Sequence, residues 1–299
     1  MNQPRRIGFI GLGMMGAPMV ARLAAKGFEV FVADADAARA AQLRQETGAL
    51  ALDDSALPTL DALITMLPNS SIVEKVLLGA DGAPGLARLL AAGAGVIDMS
   101  SSEPARSRAL GETLNGMGLA YLDAPVSGGV KRAISGSLAI LVGAAASDFE
   151  RCTALLGAMG THILHIGAAG AGHAAKALNN YVSAAGLMAT VEALHVAARF
   201  GIDPQVMTNV LNASSGRTNT SENKVAQFML NGSWASGFAM QLMDKDLRIA
   251  DALARSVDGE WQLGSQAVAL WSEMSKQATT ATDHTEMYRF MQGQQGPQA

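Results

Sequence analysis

"IGFIGLGMMGAPM", residues 7–19, sets glycines at 8, 11, 13 and 16 among apolar side chains, and its reading decides the fold. Arg6 to Ile10 reads as a short apolar strand, "GLGMMG" as a turn, and Ala17 to Lys26 as a helix capped by Gly27. Gly11, Gly13 and Gly16 form G-x-G-x-x-G, with Leu12, Met14 and Met15 between them. Each glycine has a mechanical task. Gly11 permits the tight turn, Gly13 lets a pyrophosphate approach the backbone, and Gly16 lets the helix pack close to the strand. The helix N-terminus then faces the anion.

The following strand makes this otherwise common turn specific. "EVFVAD", residues 29–34, ends in Asp34, where a dinucleotide fold needs a carboxylate for the adenosine ribose hydroxyls. Its charge would repel the extra phosphate of NADP, and Ala35 and Asp36 offer no guanidinium, so NAD is the expected cofactor. Arg39 leaves NADP as a minority outcome. Asp34 could instead cap the helix expected from Ala37 to Gln45, although Asp36 is placed to do that at least as well.

Composition bounds the rest. In 299 residues, 49% are hydrophobic and 16% charged, enough to fill a real core. Abundant Ala and Gly suit close helix packing and a homodimer or homotetramer. A net charge of −4 with no basic run or stripe argues against a nucleic-acid partner. Cys152 is the single cysteine and the five histidines lack ligand spacing, so no disulfide and no metal are expected, in keeping with a reducing, cytoplasmic setting. Arg5-Arg6 and the apolar run to Val20 imitate a signal peptide, but the glycines interrupt that run. Charge, Gly or Asn likewise interrupts every longer apolar segment, so no membrane association is expected.

Further β-like runs recur at 61–67, 94–100, 119–125, 137–143 and 162–167, with helix-like stretches between most of them. That alternation predicts a mainly parallel sheet covered on both faces, with ligands beyond the strands' C-terminal ends. After Gly167 the β signal stops. Gly172 to Phe200 reads as one long helix, Asp203-Pro204 starts another, and "NASSGRTNTSENK" (212–224) is the one polar, loop-like stretch of a helical remainder. The expected class is α/β: a Rossmann-type, mainly parallel sheet domain over 1–166, joined by a long helix to an all-α domain over 167–293. A disordered tail over 294–299 follows, and the active site is expected in a cleft between the domains.

Two segments carry candidate chemistry. In "DAPVSGG" (123–129) the chain leaves a strand on the ligand-facing side, where Ser127, Gly128 and Gly129 would offer a hydroxyl and open backbone N–H groups to a carboxylate. In "GAGHAAKALNNYV" (170–182), Lys176 and Asn180 project from one helix face a turn apart and could grip one hydroxyl oxygen. The Ala/Gly surroundings would desolvate the ammonium and lower its pKa toward working pH. His173 on that face is a competing acid–base candidate, ranked second as a polar lining residue. In "GFAMQLMDKDLRIA" (237–250), Phe238, Leu242 and Lys245 share a side, and Lys245-Asp246 reads by default as a solvated charge pair.

Taken together, "GFIGLGMMGAPM", "DAPVSGGVKRAISGSLAILVG", "GAGHAAKALNN" and "MDKDLRIA" resemble the β-hydroxyacid dehydrogenase family, which includes 3-hydroxyisobutyrate dehydrogenase and tartronate semialdehyde reductase. The resemblance spans nearly the whole chain. It implies hydride transfer between a nicotinamide and a substrate alcohol carbon, with Lys176 as general acid/base. It also implies that Ser127, Gly128 and Gly129 hold the substrate carboxylate, that Asn180 orients Lys176, that Phe238 lines the pocket and that Lys245 closes over cofactor and substrate. Leu67, Pro68 and Ser101 fall to the cofactor, Ser101 standing where the family usually has Thr. The expected substrate is a small hydroxy-carboxylate; the alternatives are imine or ketone reduction on the same fold, or a non-catalytic NAD-binding sensor.

Overall fold

β1 (Arg6–Ile10), α1 (Gly16–Ala25) and β2 (Glu29–Ala33) open the structure, a computed structural model that describes residues 3–80 and 82–293. The chain continues through α2 (Ala37–Thr47), β3 (Leu50–Ala51), β4 (Ala62–Thr65), α3 (Ser70–Leu78) and a small antiparallel hairpin, β5 (Gly79–Ala80) with β6 (Ala83–Pro84). Then come β7 (Gly95–Asp98), α4 (Pro104–Gly116), β8 (Ala120–Asp123), β9 (Val126–Ser127), α5 (Gly129–Ser135), β10 (Leu138–Gly143), α6 (Ala146–Gly157) and β11 (Gly160–Gly167). The main sheet runs β11-β10-β8-β7-β4-β1-β2-β3. It is parallel from β3 across to β8; β10 turns antiparallel to β8 and pairs in parallel with β11.

This is the doubly wound Rossmann-type sheet that the sequence predicts. Strand order reverses between β1 and β4, which opens a ligand crevice beyond their C-terminal ends. Helices cover both faces, so β4 and β7 are buried at every position. Alternation divides the side chains. Ile7, Phe9 and Ile64 pack on one face with Met19, Val20 and Leu23 of α1. On the other, Leu63 and Val96 pack with Val73 and Leu77 of α3 and Leu110 and Leu114 of α4.

The chain divides into two compact units, Met1–Lys176 and Ala177–Ala299, and the division falls within α7 (Ala171–Phe200). The second unit adds α8 (Pro204–Ala213), α9 (Asn219–Asn223), α10 (Met240–Ser256), α11 (Gln262–Ser275) and α12 (Met287–Gly293). Its core gathers Leu187, Val191 and Leu194 of α7, Met240, Met243 and Leu247 of α10, and Trp271 and Met274 of α11. Asp203 caps α8, accepting from the N–H groups of Gln205 and Val206, with Pro204 at the first helical position. On length and composition alone α7 could cross a membrane, but Leu187, Val191 and Leu194 are buried in this core.

Two expectations need revision or fall elsewhere, and four short strands carry no sequence signal. The polar stretch 212–224 is not all loop: it holds α9, started by a capping box in which Thr218 and Ser221 exchange hydrogen bonds. A five-residue helix stands on such caps, so apolar periodicity does not betray it. β3, β5, β6 and β9, two residues each, are too short for any alternation to show. The tail assigned to 294–299 lies outside the described residues.

Candidate functional site

The glycine turn is built as its spacing requires. Gly11 sits at φ +97° and donates to the Ala33 carbonyl at 3.1 Å; a side chain there would collide with the Met66 carbonyl oxygen. A Cβ on Gly16 would collide with the Gly11 carbonyl oxygen, so the start of α1 lies directly against the turn. Gly13 is exposed, and a Cβ added there meets nothing within 4 Å. Met14 beside it is exposed, Met15 half-buried, and no side chain caps α1. Open space in front of Gly13 and an uncapped helix start fit a dinucleotide pyrophosphate.

Asp34 is not the cap of α2. Asp36 is, accepting from the N–H groups of Ala38 and Arg39. The Asp34 carboxylate is 11% exposed; its Oδ2 accepts from the Leu12 N–H at 2.6 Å and its Oδ1 from the Asp36 N–H at 2.8 Å. It therefore clamps the glycine turn to the end of β2, and each oxygen keeps a lone pair for a ribose hydroxyl. The Arg39 guanidinium lies 3.8 Å from Asp34 and 3.6 Å from Asp36. A cavity of about 460 Å³ separates Met14 and Ala17 from Arg39, Gln42 and Glu46.

At the ends of β4 and β7, Leu67 is half-buried, Pro68 exposed and Ser101 half-buried. The Leu67 N–H donates to the Ser100 hydroxyl at 2.9 Å, tying the two loops together. Buried Asp98 organises the second loop by accepting from Ser100 N–H, Ser102 Oγ and Thr65 Oγ1. Ser127 pairs with Ala139 across β9 and β10, and the chain then passes through Gly128 at φ +127° and Gly129 at φ +67°. Two successive positive φ values need glycine at both places, and both glycines are exposed.

Lys176 is half-buried on the second turn of α7, with Asn180 four positions on and 6% exposed. The Asn180 amide donates to Asp246 Oδ2 at 2.6 Å, and Lys245 Nζ lies 4.0 Å from Asp246 Oδ1. Lys245-Asp246 is thus no solvated pair: Asp246 is 3% exposed and serves as a shared anchor. Burial pulls the Lys245 pKa below the usual lysine value, and the Asp246 charge opposes that fall. The only sequence signal for Asp246 is its place on the apolar row of α10, three residues after Met243 and four before Ala250.

His173 is not a lining residue. It is 1% exposed, its Nε2 donates to the Ser100 carbonyl at 3.0 Å, and its Nδ1 meets Ser107 Oγ at 2.8 Å. Asp123 beneath it accepts from the backbone N–H of Gly170 and of His173, holding the first turn of α7. Burial raises the Asp123 carboxyl above its ordinary value, while His173 and those N–H groups pull it back.

Phe238 is half-buried and held by a hub that sequence reasoning missed. Asp283 accepts from Ser236 Oγ and the N–H groups of Gly237 and Phe238, and the His284 N–H donates to the Phe238 carbonyl at 2.8 Å. The His284 ring stands edge-on to Phe238 with centroids 5.7 Å apart. Burial alone would push the Asp283 carboxyl up, but bonds from His284, Thr285 and Ser236 outweigh it and hold the group well below the usual carboxylate range. Among the described residues no cluster of His, Cys, Asp and Glu could hold a metal ion.

A doubly wound sheet whose glycine turn is clamped by an acidic residue defines a dinucleotide-binding protein. Residues 6–167 match the NAD-binding domain family of 6-phosphogluconate dehydrogenase, and residues 170–291 match the NAD-binding family of NADP-dependent 3-hydroxyisobutyrate dehydrogenase. The chain is 38% identical over 251 residues to 2-(hydroxymethyl)glutarate dehydrogenase of Eubacterium barkeri, covering 84% of this chain and 82% of that one. It is 35% identical over 293 residues to human mitochondrial 3-hydroxyisobutyrate dehydrogenase, covering 95% and 86%. The solved 3-hydroxyisobutyrate dehydrogenase of Mycobacterium tuberculosis with L-serine superposes with a TM-score of 0.88 at 30% identity, covering 97% of this chain and 99% of that one. The chain belongs to the 3-hydroxyisobutyrate dehydrogenase family, and it is an NAD(P)-binding oxidoreductase acting on CH–OH groups.

Gly13→Ala should leave the melting temperature near wild type yet weaken dinucleotide affinity at least tenfold, whereas Gly16→Ala should lose about 1–3 kcal/mol of stability, measured by NADH fluorescence and urea unfolding. Asp283→Asn should lower stability by about 2–4 kcal/mol at pH 7. A depressed carboxylate stabilises fully above its unfolded pKa and loses that contribution as pH falls through its folded value, so the gap between wild type and variant should begin to narrow below pH ~4 and go on narrowing as the pH is lowered further.

Proposed function

We propose that the protein is an NAD-dependent dehydrogenase, or reductase in reverse, for a small 3-hydroxy acid, with Lys176 as general acid/base. The observation that carries this reading is the placement of half-buried Lys176 one helical turn before Asn180 on α7, the Asn180 amide being fixed by buried Asp246. 3-Hydroxyisobutyrate, serine and 2-(hydroxymethyl)glutarate share a primary alcohol one carbon removed from a carboxylate. That common fragment is the substrate class we assign.

A bound nicotinamide dinucleotide supplies the hydride acceptor for oxidation and the hydride donor for reduction. The chain's own groups do the rest. Lys176 takes the hydroxyl proton during oxidation and returns it to the carbonyl oxygen during reduction. Asn180 fixes the direction of the substrate oxygen, and Ser127, Gly128 and Gly129 hold the carboxylate through the hydroxyl and backbone N–H groups. The family resemblance assigns Phe238 to the apolar side of the substrate and Lys245 to substrate and cofactor. The glycine turn with Leu12, Met14 and Met15, and the loops carrying Leu67, Pro68 and Ser101, hold the dinucleotide.

NAD over NADP rests on the Asp34 carboxylate at the end of β2, which would repel a ribose phosphate; Arg39 is already engaged with Asp34 and Asp36. A homodimer or homotetramer is supported by the exposed apolar side chains Val182, Val196 and Phe200 along α7 and Val206 on α8, and a sizing column tests it. The cytoplasm is the compartment its single cysteine supports.

With a hydroxy acid that the wild type oxidises, Lys176→Ala should lower kcat by about 10²–10⁴ with a smaller change in NADH affinity. Turnover near wild type would remove Lys176 from the mechanism. Asp34→Ser with Ala35→Arg should raise KM for NAD and lower it for NADP, and an unchanged ratio would mean that Asp34 does not meet the ribose.

A further inference from the structure

We propose that His173 is a positioning residue that locks the Lys176 turn of α7 to the two cofactor loops. The inference rests on the reading of Lys176 given above. His173 lies three positions before Lys176 and is 1% exposed. A carbonyl oxygen only accepts, so the 3.0 Å contact to Ser100 requires a hydrogen on Nε2, and the ring's direction is thereby set. Ser100 in turn receives the Leu67 N–H on its hydroxyl at 2.9 Å. Two hydrogen bonds therefore run from the loop after β4, through the loop after β7, into the first turn of a helix remote in sequence, three positions before Lys176.

The other end of the ring is fixed as well. Nδ1 meets Ser107 Oγ of α4 at 2.8 Å, and the His173 N–H donates to Asp123 Oδ2 at 2.7 Å. Gly172 beside it has no room for a Cβ, which would strike the Leu141 carbonyl and Asp123. The start of α7 is thus pressed on the ends of β8 and β10, and His173 sets its rotation relative to Leu67 and Ser101. An apolar side chain of similar volume would fill the space but leave the Ser100 carbonyl without this donor. A shift of about 1 Å at a proton-transferring group is enough to slow turnover about 10²-fold.

The test compares His173→Leu, which keeps volume, with His173→Gln, which keeps a donor. Four readouts are taken: melting temperature, NADH affinity by fluorescence titration, and kcat and KM for a hydroxy acid that the wild type oxidises. The expected result is a loss of about 10²-fold in kcat for His173→Leu, a KM changed less than threefold, NADH affinity weakened severalfold, and recovery of most of both losses by His173→Gln. Equal effects of the two variants, or kcat within twofold of wild type for His173→Leu, would overturn the proposal and leave His173 as packing alone. Should His173→Leu not fold, Ser107→Ala removes the Nδ1 partner while sparing the ring. It should lower kcat at least threefold, and unchanged kcat would count against the proposal. The NADH titration needs no turnover, so it decides the coupling to the cofactor loops even where the assignment of Lys176 fails.

Discussion

The closeness of α1 to the end of β1 is the constraint from which the nucleotide-binding half follows. Gly16 lies so near the Gly11 carbonyl that no side chain fits, and Gly11 is equally pressed on Met66. Only glycine tolerates both approaches, and the result is a helix start aimed across the turn at open space beside Gly13. The Asp34 clamp on Leu12 then couples the turn to β2, so the group suited to read the ribose also keeps the phosphate cradle in shape.

Buried carboxylates organise the rest. Asp98 shapes the loop after β7, Asp123 holds the first turn of α7, Asp246 fixes Asn180, and Asp283 suspends the backbone of Phe238. Each is buried, a cost that polar partners must offset: three donors on Asp98, two backbone N–H groups on Asp123, Asn180 and nearby Lys245 on Asp246, and several donors on Asp283. Such acceptors fix directions as apolar packing does not, because a carboxylate with two committed oxygens leaves its donors one geometry. The candidate side chains thus rest on buried carboxylates.

What was legible in the sequence was local. G-x-G-x-x-G with Asp34, the β-like runs and the long helix after Gly167 depend on neighbours within a few turns, so the pattern shows them directly. The anchors were not, because Asn180 and Asp246, His173 and Asp123, and Phe238 and Asp283 are partners across long stretches of chain. A lone sequence shows the charge of Lys245-Asp246 but not its burial. It shows His173 beside Lys176 but not the Ser100 and Ser107 contacts that take up both ring nitrogens.

Transfer of a labelled hydrogen tests the central claim most directly. The protein is incubated with NAD and 3-hydroxyisobutyrate or serine carrying deuterium on the hydroxyl-bearing carbon, and the reduced cofactor is weighed by mass spectrometry. NADH heavier by one deuterium, formed with a primary isotope effect on the transfer step, is the predicted result. Unlabelled NADH, or none from any hydroxy acid of this class despite dinucleotide binding, would contradict the account.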